Sequence, residues 1–314
     1  MLVMQYMSIQ KVPLLYRLLQ KTVHQESMII FDLEDTLSDL DKKKAGPLKA
    51  WGRSELTTFA HSYPDFFKNK AVGIRVNGLK SGEFERDLET IAEISQVWDL
   101  SCIMGPKIDS RENIQEYLSC LKHKEVRYRT FIPIIETVKG MNHISSIVNH
   151  ESIRDTVYGY YDYSLDSGHW PFFEQDEAEF WQFATLFISK VEKASVRYIH
   201  PPIAFFCNET LFAQVWLHLQ TRCHLPFSII TINSTQTAFF NRLMNIPLQI
   251  SELRSTTHSM QDKIDQALYV KKICSAKTRN FGFDPKTGKF FSPHHYIAAL
   301  QFLEQLNISN DMKG

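Results

Sequence analysis

Short apolar runs recur along this chain, separated by longer stretches in which apolar positions repeat every three or four residues. Eight such runs read as strands: 2–7 (LVMQYM), 28–33 (MIIFDL), 71–76 (AVGIRV), 102–106 (CIMGP), 131–135 (FIPII), 156–161 (TVYGYY), 196–200 (VRYIH) and 227–232 (FSIITI). Each is short, rich in branched or aromatic residues and followed by polar or turn residues. The stretches between them read as helices. Residues 84–98 set Phe84, Leu88, Ile91, Ile94 and Val97 on one stripe, and 111–123 do the same with Ile114, Tyr117, Leu118 and Leu121. Residues 177–194 repeat the pattern. Strands alternating with helices predict an α/β fold, a (β/α)8 TIM barrel. The barrel is expected over residues 1–250. Residues 251–314 read as helix, turn-rich tip and helix, a C-terminal lid and oligomerisation segment.

Composition adds constraints. Hydrophobic residues make up 44% of the 314 residues, enough for one large core. Lysines and arginines number 35, as do aspartates and glutamates, so no net basic charge argues for nucleic acid or an anionic membrane. No apolar run approaches the roughly 20 residues that span a bilayer. The N-terminal stretch lacks a basic start and a small-residue cleavage site, so no signal peptide is expected. Five cysteines without a C-x-x-C pair fit a reduced, cytoplasmic setting better than a zinc site or disulfide framework. Neither glycine-rich nucleotide motif occurs.

In a barrel of this kind the active site lies where strands end, on the C-terminal face. The predicted ends are rich in charge. Strand two ends in Asp32, Glu34 and Asp35; strand three in Arg75 and Asn77; strand four in Lys107; strand five in Glu136; strand six in Asp162. A single charged residue at a strand end is usually a solvated loop residue or a cap. A run of them at one end of successive strands points to a site. Glu136 and Asp162, on adjacent strands, suit a hard cation completed by water, Mg²⁺ or Mn²⁺. Arg75 can fork onto a carbonyl or carboxylate oxygen. A metal and an arginine on one oxygen stabilise an enolate, the species that carbon–carbon cleavage beside a carbonyl must form.

The order of these motifs resembles the citrate lyase beta-subunit family, within the HpcH/HpaI-type aldolases. IIFDLEDTLSDLDKKKAG is similar to that family's acidic signature. GIRVNGLKSGEFERDL, GPKIDSRENI, IIETVKGMNHISSIV and YGYYDYSLD come next, in the family's order. VRYIHPPIAFFCNETLFAQ resembles its seventh-strand region, and FGFDPKTGKFFSPHHYIAALQFL the lid of its acyl-CoA lyases. The resemblance implies a Mg²⁺-dependent lyase acting on an oxo or hydroxy acid, or its acyl-CoA thioester. It implies Glu136 and Asp162 as metal ligands and Arg75 as the substrate grip. Glu34 and Asp35 match acids lining the same mouth, and with Arg75, Lys107 and Asn77 they complete the expected catalytic and substrate-binding set. It also implies a homotrimer in which each lid closes over a neighbour's barrel.

Two departures stand out. The eighth strand reads ITINSTQ, with Asn233 near the position where the family has proline, although Gln236 remains. The lid has Ser292 before Pro293, where the acyl-CoA lyases carry a catalytic aspartate. A hydroxyl is no proton shuttle near neutrality. His294 or His295 offers a replacement, although the plainer reading makes both surface residues. These departures argue against ordinary malyl-CoA or citramalyl-CoA cleavage and leave the metal site intact. A non-catalytic ligand-binding barrel is the second reading. A haloacid-dehalogenase-type phosphatase is the third, with Asp32 as nucleophile and Asp162 and Asp166 as its late acidic pair; Glu34 and Asp35 break its Asp-x-Asp-Gly-Thr motif. The five tryptophans read as packing residues and His200 as structural.

Overall fold

The computed structural model describes residues 2–11, 26–37, 42–243, 253–275 and 281–308. Eight parallel strands close into a barrel in sequence order. They are β1 (Leu2–Ser8), β2 (Met28–Asp32), β3 (Val72–Arg75), β4 (Leu100–Gly105), β5 (Tyr128–Ile135), β6 (Asp155–Tyr158), β7 (Arg197–His200) and β8 (Ser228–Thr231). β8 closes onto β1 with Val3 opposite Ile229. All eight predicted strands are present. Principal helices are α1 (Lys42–Ser62), α2 (Phe84–Val97), α3 (Arg111–His123), α4 (Val138–Asn142), α5 (Ile144–Val148), α6 (Tyr160–Asp166), α7 (Ala178–Lys193), α8 (Glu209–Arg222) and α9 (Ser234–Leu243). After these come α10 (Met260–Ser275), a hairpin of β9 (Gly282–Asp284) and β10 (Lys289–Phe291), and α11 (Pro293–Gln305). The expected division at residue 250 lies outside the described residues. No described helix is long and apolar enough to cross a membrane.

Strand parity positions the chemistry. Successive side chains of a strand face opposite sides. Met4, Met28, Ile30, Cys102, Met104, Ile132, Ile134, Val157, Ile199 and Ile230 form one buried cluster inside the barrel. Ile29, Phe31, Ile103, Phe131 and Ile135 belong to the larger cluster beneath the helices. Counting by two from the inner residues carries Asp32 and Glu136 to the inner face at the C-terminal rim. Arg75 pairs with Asp32 and Met104 in register, at the same level. The helix stripes fit this wall: Phe84, Leu88, Ile91 and Ile94 of α2 are buried, as are Ile114, Tyr117 and Leu121 of α3.

His200 ends β7 and is fully buried, stacked on Trp181 at 5.6 Å and bonded to Gln175 Oε1 at 2.9 Å and Tyr198 Oη at 3.1 Å. It is a structural histidine. Burial pushes its imidazole down from 6.5 to about 3. The unfolded chain takes up that proton below 6.5 and the folded protein only near 3. Stability should therefore fall as pH drops through this window, by up to ~1.4 kcal/mol per pH unit from this group. Urea midpoints from pH 7 to 5 test this. His200→Gln should flatten the slope, and an unchanged slope would remove His200 as its source.

The C-terminal segment packs on the barrel it belongs to. Phe206 N–H donates to Gly288 O at 3.1 Å, and Phe290 N–H to Ala204 O at 2.7 Å. Lys289 pairs with Glu174, and Trp170 Nε1 donates to Lys263 O at 3.1 Å. Within the chain these bonds seat the segment over its own mouth.

Candidate active site

Arg75 is the centre of the mouth. Its side chain is only 7% exposed, and its Nε and Nη2 donate to the two Asp32 oxygens at 2.7 Å each. Nη1 lies 3.1 Å from Glu34 and 3.0 Å from Asp35, and the guanidinium covers the Tyr6 ring at 4.8 Å. Asp32 is fully buried and also accepts the N–H groups of Glu34 and Thr36, each at 3.0 Å. Burial would raise its carboxyl, but Arg75 and these backbone donors hold it below the usual carboxylate range. Asp32 is thus a fixed clamp for Arg75. A phosphatase nucleophile needs a free carboxylate oxygen, and both of these are committed. Asp166 is likewise spent, accepting Val138 N–H at the start of α4 at 2.7 Å.

Glu136 and Lys107 are locked together. Lys107 adopts a positive φ of 56°, which costs a non-glycine residue roughly 1–2 kcal/mol. That turn aims its backbone N–H at Glu136 Oε1, 2.8 Å away. Its ammonium bonds Asp162 at 2.6 Å and lies 3.8 Å from Glu136. Gly159 keeps the space: a Cβ there would stand 2.3 Å from Glu136 Cβ and 2.6 Å from its Oε2. Burial, then the Asp162 charge, push the Glu136 carboxyl well above its ordinary range, against the pull of Lys107. Glu34 is raised to about 8 by burial and by the Asp35 charge, so it carries its proton near neutrality.

Asp162 comes from the first turn of α6 rather than from the end of β6, and it meets a partner that the surface reading of the lid histidines did not anticipate. His294, in the first turn of α11, places Nε2 3.0 Å from Asp162 Oδ2. Burial pulls this imidazole down, but the Asp162 carboxylate outweighs it and leaves His294 raised to about 9. Asp162 is correspondingly held low; burial opposes this, and His294 and Lys107 overcome it. His295 is also buried and bonds Ser292 Oγ at 2.9 Å, so Ser292 serves as a helix cap. Parity alone could not reveal His294, because it stands 132 residues after Asp162, the residue it touches.

Asn77 turns away from the cavity wall. Its amide donates to Asp87 Oδ2 at 2.7 Å and to Leu33 O at 3.0 Å, and its oxygen accepts from Lys49. Asp87 in turn binds Arg53 at 2.9 Å. The expected substrate contact is therefore corrected: in this structure Asn77 braces the loop after β3. Gln236 braces the loop after β7, donating to Ile203 O at 2.9 Å and Phe205 O at 2.7 Å.

The donor set suits a hard divalent cation. Among the described residues, five carboxyl groups (Asp32, Glu34, Asp35, Glu136 and Asp162) gather with three basic groups (Arg75, Lys107 and His294). The Lys107 ammonium already sits against both Glu136 and Asp162, so this pair attracts positive charge. Donor atoms of Asp35, Asp162 and His294 lie within 4.8 Å of one another. Asp32, Asp35, Glu136 and Asp162 line a cavity of about 1080 Å³. Trp51, 39% exposed, lines it as well, which corrects its reading as a packing residue.

The family model for HpcH/HpaI aldolase/citrate lyase matches residues 17–195, more than half of the chain. No curated protein matches the sequence. Among solved structures, RipC from Yersinia pestis is 16% identical, with a TM-score of 0.56 over 78% of this chain and 95% of that one. The citrate lyase beta subunit from M. tuberculosis, complexed with oxaloacetate and magnesium, is 14% identical, with a TM-score of 0.58 over 78% and 96%. CitE from the same organism, in complex with magnesium, acetoacetate and coenzyme A, is 13% identical, with a TM-score of 0.57 over 96% and 97%. At such identities the likeness is one of fold.

Proposed function

Because the chain belongs to the HpcH/HpaI aldolase/citrate lyase family, a family of carbon–carbon lyases, we propose that it is a Mg²⁺-dependent lyase acting beside the carbonyl of an oxo or hydroxy acid. The observation that carries this reading is the convergence of Arg75, Glu136 and Asp162 at the C-terminal rim of a closed barrel. CitE structures with magnesium and pyruvate or oxaloacetate agree with it. Glu136 and Asp162 would hold the ion, and Mn²⁺ satisfies the same oxygen donors. When bound, the ion supplies Lewis-acid polarisation of the substrate carbonyl.

The other tasks fall to the chain itself. Arg75 has five N–H donors; Asp32 takes two of them in hydrogen bonds, and Nη1 lies 3.1 Å from Glu34 and 3.0 Å from Asp35. A donor not held by Asp32 would meet an anionic oxygen of the substrate, with Asp32 fixing the direction of the guanidinium. Negative charge growing on the enolate oxygen during bond cleavage is stabilised by this preorganised guanidinium without reorganisation. Glu34 carries its proton near neutrality beside Arg75 and would be the acid that returns a proton to the carbon left behind.

Titration calorimetry with Mg²⁺ tests the ligand assignment. Wild type should bind one ion per chain, and the double variant Glu136→Ala/Asp162→Ala should lose at least about tenfold in affinity. Unchanged affinity in that variant would sink the assignment.

A further inference from the structure

The cavity is larger than the acid at its base requires. Its volume of about 1080 Å³ stands at the top of the range that encloses drug-sized ligands, roughly 300–1,000 Å³. A three-carbon oxo acid fills a small part of it. The remaining wall is apolar and aromatic. Leu48 and Trp51 stand four and seven residues after Lys44 on α1, one face of the helix, and all three line the cavity. The C-terminal segment adds Phe281 and Phe290, and the loop after β7 adds Phe206. Phe206 and Phe290 stack at 5.7 Å and 17°. Trp51 and Phe281 are 39% and 37% exposed, large flat surfaces facing a cavity rather than a core.

Resting on the reading of the base as an oxo-acid site, we infer that the rest of the substrate is an aromatic ring system stacked on Trp51, Phe281 and Phe290. The substrate class is then an aryl or heteroaryl oxo or hydroxy acid, with its anionic head at Arg75. Offset rings on aromatic side chains gain specific stacking beyond their buried area, which an aliphatic tail of equal size does not.

Calorimetry of the full chain, saturated with Mg²⁺, tests this with pyruvate, indole-3-pyruvate and 2-oxooctanoate. Indole-3-pyruvate should bind at least about tenfold tighter than pyruvate and about threefold tighter than 2-oxooctanoate. Trp51→Ala and Phe281→Ala should each narrow the indole-3-pyruvate to pyruvate ratio by about threefold or more. Equal affinity for pyruvate and indole-3-pyruvate, or for indole-3-pyruvate and 2-oxooctanoate, would overturn the inference. Displacement of indole-3-pyruvate by coenzyme A would overturn it too. If pyruvate fails to bind while Mg²⁺ binds, the oxo-acid reading of the base fails and the aromatic subsite falls with it. If pyruvate binds and the ring adds nothing, only the aromatic subsite falls.

Discussion

Replacing Arg75 with alanine is expected to cost about 3–5 kcal/mol of stability and to abolish oxo-acid binding. The side chain is 7% exposed and touches Asp32, Glu34 and Asp35, the first of them fully buried. Removing the guanidinium leaves a buried carboxylate without its counter-charge, the costly way to break an ion pair. The acid limb of the stability curve should change with it. In wild type the Asp32 carboxyl is held below its ordinary 3.8, so its contribution is present above that value and is lost as pH falls through the depressed one. In Arg75→Ala the share of that contribution that Arg75 supplies is absent at every pH, and the backbone donors alone hold the carboxyl down. Arg75→Lys keeps the charge but not the fork, and should restore part of the stability and little of the binding. Urea denaturation and calorimetry with pyruvate separate the two effects. A variant as stable as wild type would show that Asp32 is held by its backbone donors alone.

Glu136→Gln is expected to move stability and activity in opposite directions. The carboxyl is 3% exposed at its side chain and is pushed well above its ordinary 4.5, chiefly by burial. For a carboxyl raised on folding, the folded state binds more protons once pH exceeds 4.5, so ionisation costs stability from that point upward. Glutamine keeps the shape and removes the charge. The variant should be more stable near neutrality, by on the order of 1 kcal/mol. Turnover that depends on Mg²⁺ should fall by about 10²–10³-fold, because the ion loses an anionic ligand. Melting temperatures together with initial rates test both halves. A less stable variant would show that the Lys107 N–H needs a charged acceptor.

Much of the fold and the site was legible in the sequence because strand parity and strand order are local properties. A run of branched residues defines a strand, alternation assigns its faces, and the closed sequential order then gathers Arg75 and Glu136 on one rim. The same reasoning placed Glu34, Asp35 and Lys107 beside them, where they touch Arg75, Glu136 or Asp162. It failed where position depends on the path of the chain beyond a strand. Asn77 shares the parity of Arg75 but stands past the end of β3, and the buried Asp87 captures it through two hydrogen bonds. His294 belongs to a segment whose docking is set by the hairpin's bonds to the loop after β7. No periodicity encodes such a long-range contact. Trp51 looked like core because tryptophan usually is, and only the cavity beside α1 shows why it stands half open.

The central claim is that this barrel forms an enolate beside a carbonyl with the help of Mg²⁺, and it can be tested without knowing the natural substrate. Pyruvate dissolved in D₂O with the protein and Mg²⁺ should exchange its C3 protons for deuterium, monitored by proton NMR. The exchange should be metal-dependent and should be lost in Arg75→Lys and in Glu136→Gln. Exchange no faster than the protein-free rate, with pyruvate and Mg²⁺ both shown to be bound, would contradict the account.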